Sequence, residues 1–203
     1  TALKCKGSSF KAWAGVRTEG EISLFTDGKF CKSERGELQL TEYGISGIPV
    51  FQLSTYAVRA VREGHKAELR INFMPELSEE ELKKLLYARK KACPYKKEKE
   101  LLVGLFPEKL IKILISQKQL VSAIREFPLE VQDGMSFSQA QVCSGGVDTS
   151  QVNSQTMESK LCRGLYFAGE LLDIDGTCGG YNLQWAWSSG AVAGKNAAKE
   201  EKN

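Results

Sequence analysis

The sequence predicts an α+β chain: an antiparallel β-barrel-like region with a helical subregion over about residues 76–126, then a strand, a glycine-rich loop and a helix. Three observations carry this. Residues 16–41 alternate apolar and polar side chains around an Asp-Gly turn, the pattern of half-buried antiparallel strands. From Pro75 onward the period changes to that of amphipathic helices. Beyond Cys143 the composition shifts to glycine-rich segments around one short apolar run.

In the first part, Val16, Thr18, Gly20, Ile22 and Leu24 alternate with Arg17, Glu19, Glu21 and Ser23. Thr26-Asp27-Gly28-Lys29 supplies the tight turn, since glycine accepts positive φ without a Cβ clash. A second strand is expected from Phe30 to a break at Ser33-Glu34-Arg35-Gly36, and a third over Glu37 to Thr41. Pro49 opens a helix reaching Glu63, with Val50, Leu53, Ala57 and Val61 as its stripe and Gly64 as its stop. Ala67, Leu69, Ile71 and Phe73 form a further strand.

Ser78-Glu79-Glu80-Glu81 is a capping box, with Leu82, Leu85 and Leu86 as the buried face of the helix behind it. A second box, Ser116 to Gln119, is expected to open a helix ending near Phe127-Pro128. Leu129 to Gln132 and Gln139 to Cys143 are expected as strands about an Asp133-Gly134 turn, completing the sheet.

Composition narrows the function. With 42% apolar and 26% charged residues the chain can bury a core. A net charge of +3 argues against nucleic acid or an anionic membrane as the main partner. The basic run Arg89, Lys90, Lys91, Lys96, Lys97 and Lys99 has one interleaved aromatic, Tyr95, and reads as a solvated helical surface. One histidine, His65, leaves little room for His-based triads or multi-His metal sites. The six cysteines include no C-x-x-C pair and fit reduced thiols in a cytoplasmic protein. The charge-free stretch Gly176 to Gly194 is too polar to cross a bilayer.

The candidate chemistry lies late in the chain. Leu165 to Ala168 has the composition of a buried parallel strand, and Gly169 and Glu170 stand at its C-terminal end, where open α/β sheets bind ligands. A glycine-rich loop, Asp173 to Gly180, then enters a helix from Tyr181 to about Lys199. Free N–H groups and the dipole at a helix start favour an anion. Ala186, Gly190, Ala193, Gly194 and Ala197 give that helix a face suited to close packing. Asp173 and Asp175 read either as an acid–base or metal pair or as capping and solvated groups.

Gly164-Leu165-Tyr166-Phe167-Ala168-Gly169-Glu170-Leu171-Leu172-Asp173 and Gly179-Gly180-Tyr181-Asn182-Leu183-Gln184-Trp185-Ala186-Trp187-Ser188-Ser189-Gly190 resemble the C-terminal signature of a bacterial flavoprotein family. Its members are described as aminoacetone-oxidase-like or BaiN/YhiN-type FAD-dependent oxidoreductases. Gln141-Val142-Cys143-Ser144-Gly145-Gly146-Val147, Thr156-Met157-Glu158-Ser159-Lys160 and Leu40 to Pro49 also fit, so the resemblance covers nearly the whole chain.

The resemblance implies an FAD-binding Rossmann-like domain interrupted by an inserted β-barrel-like domain. On that reading residues 1–142 are the insertion and 143–203 the return to the flavin domain, whose N-terminal part is missing. The implied cofactor-binding residues are Gly145, Gly146, Gly169, Glu170, Gly179, Gly180, Tyr181, Asn182 and Leu183. Gly169 and Glu170 would lie by the ribityl and pyrophosphate region, and the loop into Tyr181 beside the flavin ring. Cys178 occupies a place where the family favours a small residue such as Thr.

No G-x-G-x-x-G occurs, so the main anchor for the ADP moiety is absent and the chain alone is expected to be inactive and to hold FAD weakly or not at all. The implied partners are a small-molecule substrate and NAD(P)H as electron donor, with no nucleic acid and no membrane. No catalytic residue is identified; Tyr166 and Tyr181 are candidates by position only, and no metal is expected. The competing reading is a non-catalytic protein-binding or lid module.

Overall fold

The computed structural model describes residues 1–7, 9–140 and 142–200. It falls into two compact units, Thr1–Gln139 and Ala140–Asn203.

The first unit is built on a closed antiparallel barrel of six strands: β1 (Leu3–Cys5), β2 (Arg17–Thr26), β3 (Lys29–Thr41), β4 (Gly44–Ser46), β5 (Ala67–Asn72) and β6 (Phe127–Gly134). Around the barrel the order is β1-β4-β3-β2-β5-β6. Closure comes from β1 against β6, with Leu3 opposite Gly134 and a register shift between Lys4 and Cys5. Such a shift lets a short strand turn the corner that closes a barrel. The β2–β3 hairpin turns at Asp27 and Gly28, both at positive φ (49° and 79°), as the Asp-Gly pair requires.

Inward side chains such as Ile22, Leu24, Leu38, Leu40, Leu69 and Ile71 are fully buried. Helix α1 (Ile48–Arg62) covers the barrel with Val50, Leu53 and Ala57, and Gly64 (φ 87°) ends it. Between β5 and β6 run four helices: α2 (Glu79–Ala92), α3 (Glu98–Leu101), α4 (Glu108–Leu114) and α5 (Leu120–Arg125). The Ser78 capping box forms as read, its hydroxyl accepting the Glu81 N–H and its own N–H bonding the Glu81 carboxylate.

Several expectations are corrected. Ser33 to Gly36 is no break: β3 runs through it, pairing Gly36 with Gly20. A Cβ on Gly36 would come within 3.2 Å of Pro49 Cγ, so glycine here admits the start of α1 rather than a turn. Asp133-Gly134 likewise lies inside β6, where a Cβ on Gly134 would meet Thr1 and Val58 at 3.0 and 3.1 Å. Gln139 to Cys143 forms no strand in its described part; Phe137–Gln139 is a 3₁₀ turn, and Gln141 lies outside the described residues. The second capping box is absent: Ser116 Oγ donates back to the Ile113 carbonyl, closing α4, and α5 starts without a side-chain cap. Strands β1 and β4 and helices α3 and α4 carried too few periodic residues to be anticipated.

The second unit is loop-rich and ends in α6 (Tyr181–Glu200). Leu165 to Ala168 is not a parallel strand. Its backbone runs antiparallel to 157–159, with Phe167 N–H donating to the Met157 carbonyl and Ser159 N–H to that of Leu165. Among the described residues no strand lies parallel to it, and Leu165 stays exposed. A small core forms from Val152, Met157, Leu172 and Ala193, with Phe167, Trp185 and Val192 packed against it.

Candidate functional site

The glycines of the second unit are brought together by the backbone. Gly145 N–H donates to Asp173 Oδ1 at 3.1 Å, and Cys143 N–H donates to Glu170 Oε1 at 2.5 Å. Val147 N–H bonds the Leu171 carbonyl, and Asp173 N–H returns to the Val147 carbonyl. The 143–147 loop is thus laid along 170–173. Gly146 is required there, since its Cβ would stand 2.6 Å from the Leu171 oxygen and 2.8 Å from Asp173 N.

Residues 169–172 in turn sit on α6. Gly169 (φ 66°) donates its N–H to Ser189 Oγ at 2.9 Å and accepts Trp185 Nε1–H at 3.1 Å. A Cβ on Gly169 would touch Ala186 Cβ at 3.5 Å. Asn182 closes the loop before the helix, pairing both ways with the Gly176 backbone at 2.8 and 3.1 Å. Asn182 is therefore a structural clamp on the helix entrance. Glu170 and Asp173 act as staples for the 143–147 loop, each accepting one of its backbone N–H groups. Among the described residues no group of three His, Cys, Asp or Glu is placed to hold a metal.

What faces outward is different in kind. Gly179 and Gly180 have φ of 124° and 94°, and nothing lies within 4 Å of a Cβ built on Gly180 or on Gly145. Behind Gly180 begins a helix of 20 residues, whose first turn presents N–H groups without intrahelical acceptors. Tyr181 and Leu183 in that turn are exposed, as is Leu171. Leu183, Trp187, Gly190 and Gly194 recur at helical spacing, and Trp187 is 69% exposed. Of the close-packing face expected for this helix, Ala193 enters the unit's own core and Ala186 faces Gly169, while a Cβ built on Gly190 or Gly194 would meet nothing within 4 Å.

Of the nine expected cofactor residues, Gly145, Gly169, Glu170 and Asn182 take part in these backbone–side-chain bonds, while Gly180, Tyr181 and Leu183 are exposed at the start of α6. It was not legible that Ser189 and Trp185 hold Gly169; a buried serine facing a glycine N–H leaves no periodic signal. Cys178 is a free, half-buried thiol.

The cofactor that the family resemblance implies carries a planar ring, and a Cβ built on Gly145 or on Gly180 meets nothing within 4 Å, so the backbone at each is open to the approach of such a ring. Comparison with known proteins agrees in class. A family model described as "HI0933-like protein Rossmann domain" matches residues 26–196, and the chain belongs to that family.

Among curated relatives, the 3-dehydro-bile acid delta(4,6)-reductase of Clostridium scindens is 39% identical over 97% of this chain and 52% of its own length. The ribosomal RNA dihydrouridine synthases of Haemophilus influenzae and Escherichia coli are 36% and 33% identical, over 78% and 76% of this chain and 41% and 40% of theirs. The chain spans about half the length of the curated relatives it matches, or less. No helix among the described residues is long and apolar enough to cross a membrane.

Proposed function

We propose that this chain supplies part of the flavin site of an FAD-dependent oxidoreductase that reduces an unsaturated small molecule, with NAD(P)H as electron donor. The observation that carries the reading is the glycine pair Gly179-Gly180 opening onto the exposed start of α6, with the loop behind it clamped by Asn182. FAD, when bound, supplies two-electron hydride chemistry. Gly145, Gly146, Gly169, Glu170, Gly179, Gly180, Tyr181, Asn182 and Leu183 would hold it.

Gly145, Gly179 and Gly180 keep the approach free of Cβ atoms, while Gly146 and Gly169 let the loop and the turn behind them pack closely. The first-turn N–H groups of α6 favour negative charge beside them, worth about 0.3–1 kcal/mol for an exposed helix end. Glu170 positions the Cys143 loop through one oxygen, and a carboxylate has acceptor capacity beyond one bond, which is compatible with a sugar hydroxyl. Leu183 and Trp187 provide apolar area that excludes water once covered. In the chain alone this area is open.

A small-molecule substrate is preferred to RNA because the Clostridium scindens reductase matches over nearly the whole chain, the two synthases over about three quarters. The test joins this chain to the part of the Clostridium scindens relative that it does not span, and assays NADPH oxidation with conjugated oxo-steroids and with ribosomal RNA. Turnover of the steroid supports the reading. Reduction confined to RNA would replace the substrate class, and no reduction of either would remove the assignment.

A further inference from the structure

The helical subregion contains a cavity that the flavin site does not use. It has a volume of about 910 Å³ and lies between α2, α3 and α5. Drug-sized ligand sites fall in the range of about 300–1,000 Å³. Its floor is apolar: Leu86, Leu101, Leu120 and Val121 line it and none of them is fully buried. On α2 only Leu82 is fully buried, although its periodicity puts Leu85 and Leu86 on the same inner face. Leu86, Leu120 and Val121 pack against the core on one side and stay partly open to the cavity on the other.

Side-chain-to-backbone bonds brace the walls. The Arg89 guanidinium donates to the Leu101 and Val103 carbonyls at 2.7 and 2.8 Å, tying α2 to the chain after α3. Arg125 on α5 donates to the Leu77 carbonyl, just before the Ser78 cap. A cavity so braced is preformed, which lowers the ordering cost of binding.

Its charges are specific too. Lys83 is paired with Glu79, but among the described residues neither Lys90 nor Lys96 has an acidic partner, and both line the cavity. Glu98 and Glu126 line it as well, which keeps the summed charge small and disfavours a polyanion. Tyr87 adds a ring and a hydroxyl at the opening.

We propose that this cavity binds a small amphipathic monoanion: a fused-ring or aryl body on the leucine floor, and one carboxylate or sulfonate held by Lys90 and Lys96. Two ammonium groups match one anionic head, since charge-assisted hydrogen bonds are the strong ones and lysine serves as a point charge. None of its lining residues is among those proposed to hold the flavin.

The test uses the whole 203-residue chain and 8-anilinonaphthalene-1-sulfonate as probe, followed by amide NMR shifts. Saturable shifts confined to α2, α3 and α5 are expected. The double variant Lys90→Glu, Lys96→Glu should weaken binding by about tenfold or more, and uncharged N-phenyl-1-naphthylamine should bind as weakly as the probe does to that variant. Leu120→Trp, which fills the floor, should abolish binding while circular dichroism stays native. Shifts centred on the exposed Leu183–Trp187 face, equal binding of the neutral compound, or no saturation by millimolar probe would each overturn the proposal.

Discussion

Ser189 Oγ accepts the Gly169 N–H at 2.9 Å and donates to the Trp185 carbonyl at 2.6 Å, at a position only 1% exposed. The one serine therefore anchors the glycine turn to the middle of α6. Ser189→Ala strands a buried N–H and should cost about 1–3 kcal/mol of local stability. Hydrogen exchange at Gly169 and its neighbours checks this: protection should fall there and persist in the barrel strands.

Helix α2 is tied to pH through its cap. The Ser78 hydroxyl first, and its backbone N–H second, hold the Glu81 carboxyl below the usual glutamate range. A folded pKa below the unfolded value of about 4.3 gives stability present above that pH and lost as pH falls through the folded value. Acid titration followed by the amide shifts of α2 should show this loss in the native chain. In Ser78→Ala the acid-dependent step should be smaller.

The cysteines should divide by burial. Cys5 faces the barrel interior, and desolvation pushes its thiol up to about 12, so thiolate is scarce at pH 8. Cys31 and Cys162 are exposed. Ellman's reagent at pH 8 should label Cys31 and Cys162 rapidly, and Cys5 only after denaturant unfolds the barrel. Fast labelling of Cys5 in the native chain would show that β1 opens readily.

Gly190 and Gly194 separate the needs of this chain from those of the assembled fold. Nothing lies within 4 Å of a Cβ built on either. Alanine there should stabilise the helix by up to about 1 kcal/mol per site, because glycine is the poorer helix former. If this face packs on the rest of the flavoprotein, the same substitutions should lower flavin occupancy in the polypeptide joined to the remainder of the Clostridium scindens relative. Thermal melts of the chain and flavin absorbance of the joined protein give the two readouts.

Where local physics decided the outcome, the sequence was a good guide. The Asp27-Gly28 turn, the Ser78 cap, α1 with its Pro49 start, and α6 each follow from a few neighbouring residues, and each is present. Errors came where a residue answers to something distant. Gly36 and Gly134 looked like turn formers, yet each is small because Pro49, or Thr1 and Val58, comes close. Leu165 to Ala168 had a strand's composition, but a parallel strand exists only beside another, and here the chain offers 157–159 running the opposite way. The glycines of the candidate site stood out by type. The staples that hold them did not: Glu170 to Cys143 and Asp173 to Gly145 join residues 27 and 28 apart.

On the proposed function, the outward face of 143–183 receives a flavin. The most direct measurement is the visible absorbance of the purified polypeptide that joins this chain to the unspanned part of the Clostridium scindens relative. We expect near-stoichiometric bound FAD, reduced sharply by Gly180→Val, which would place a branched side chain at a φ of 94° in the open ground before α6. A well-folded joined protein that stays colourless after incubation with excess FAD would contradict the account.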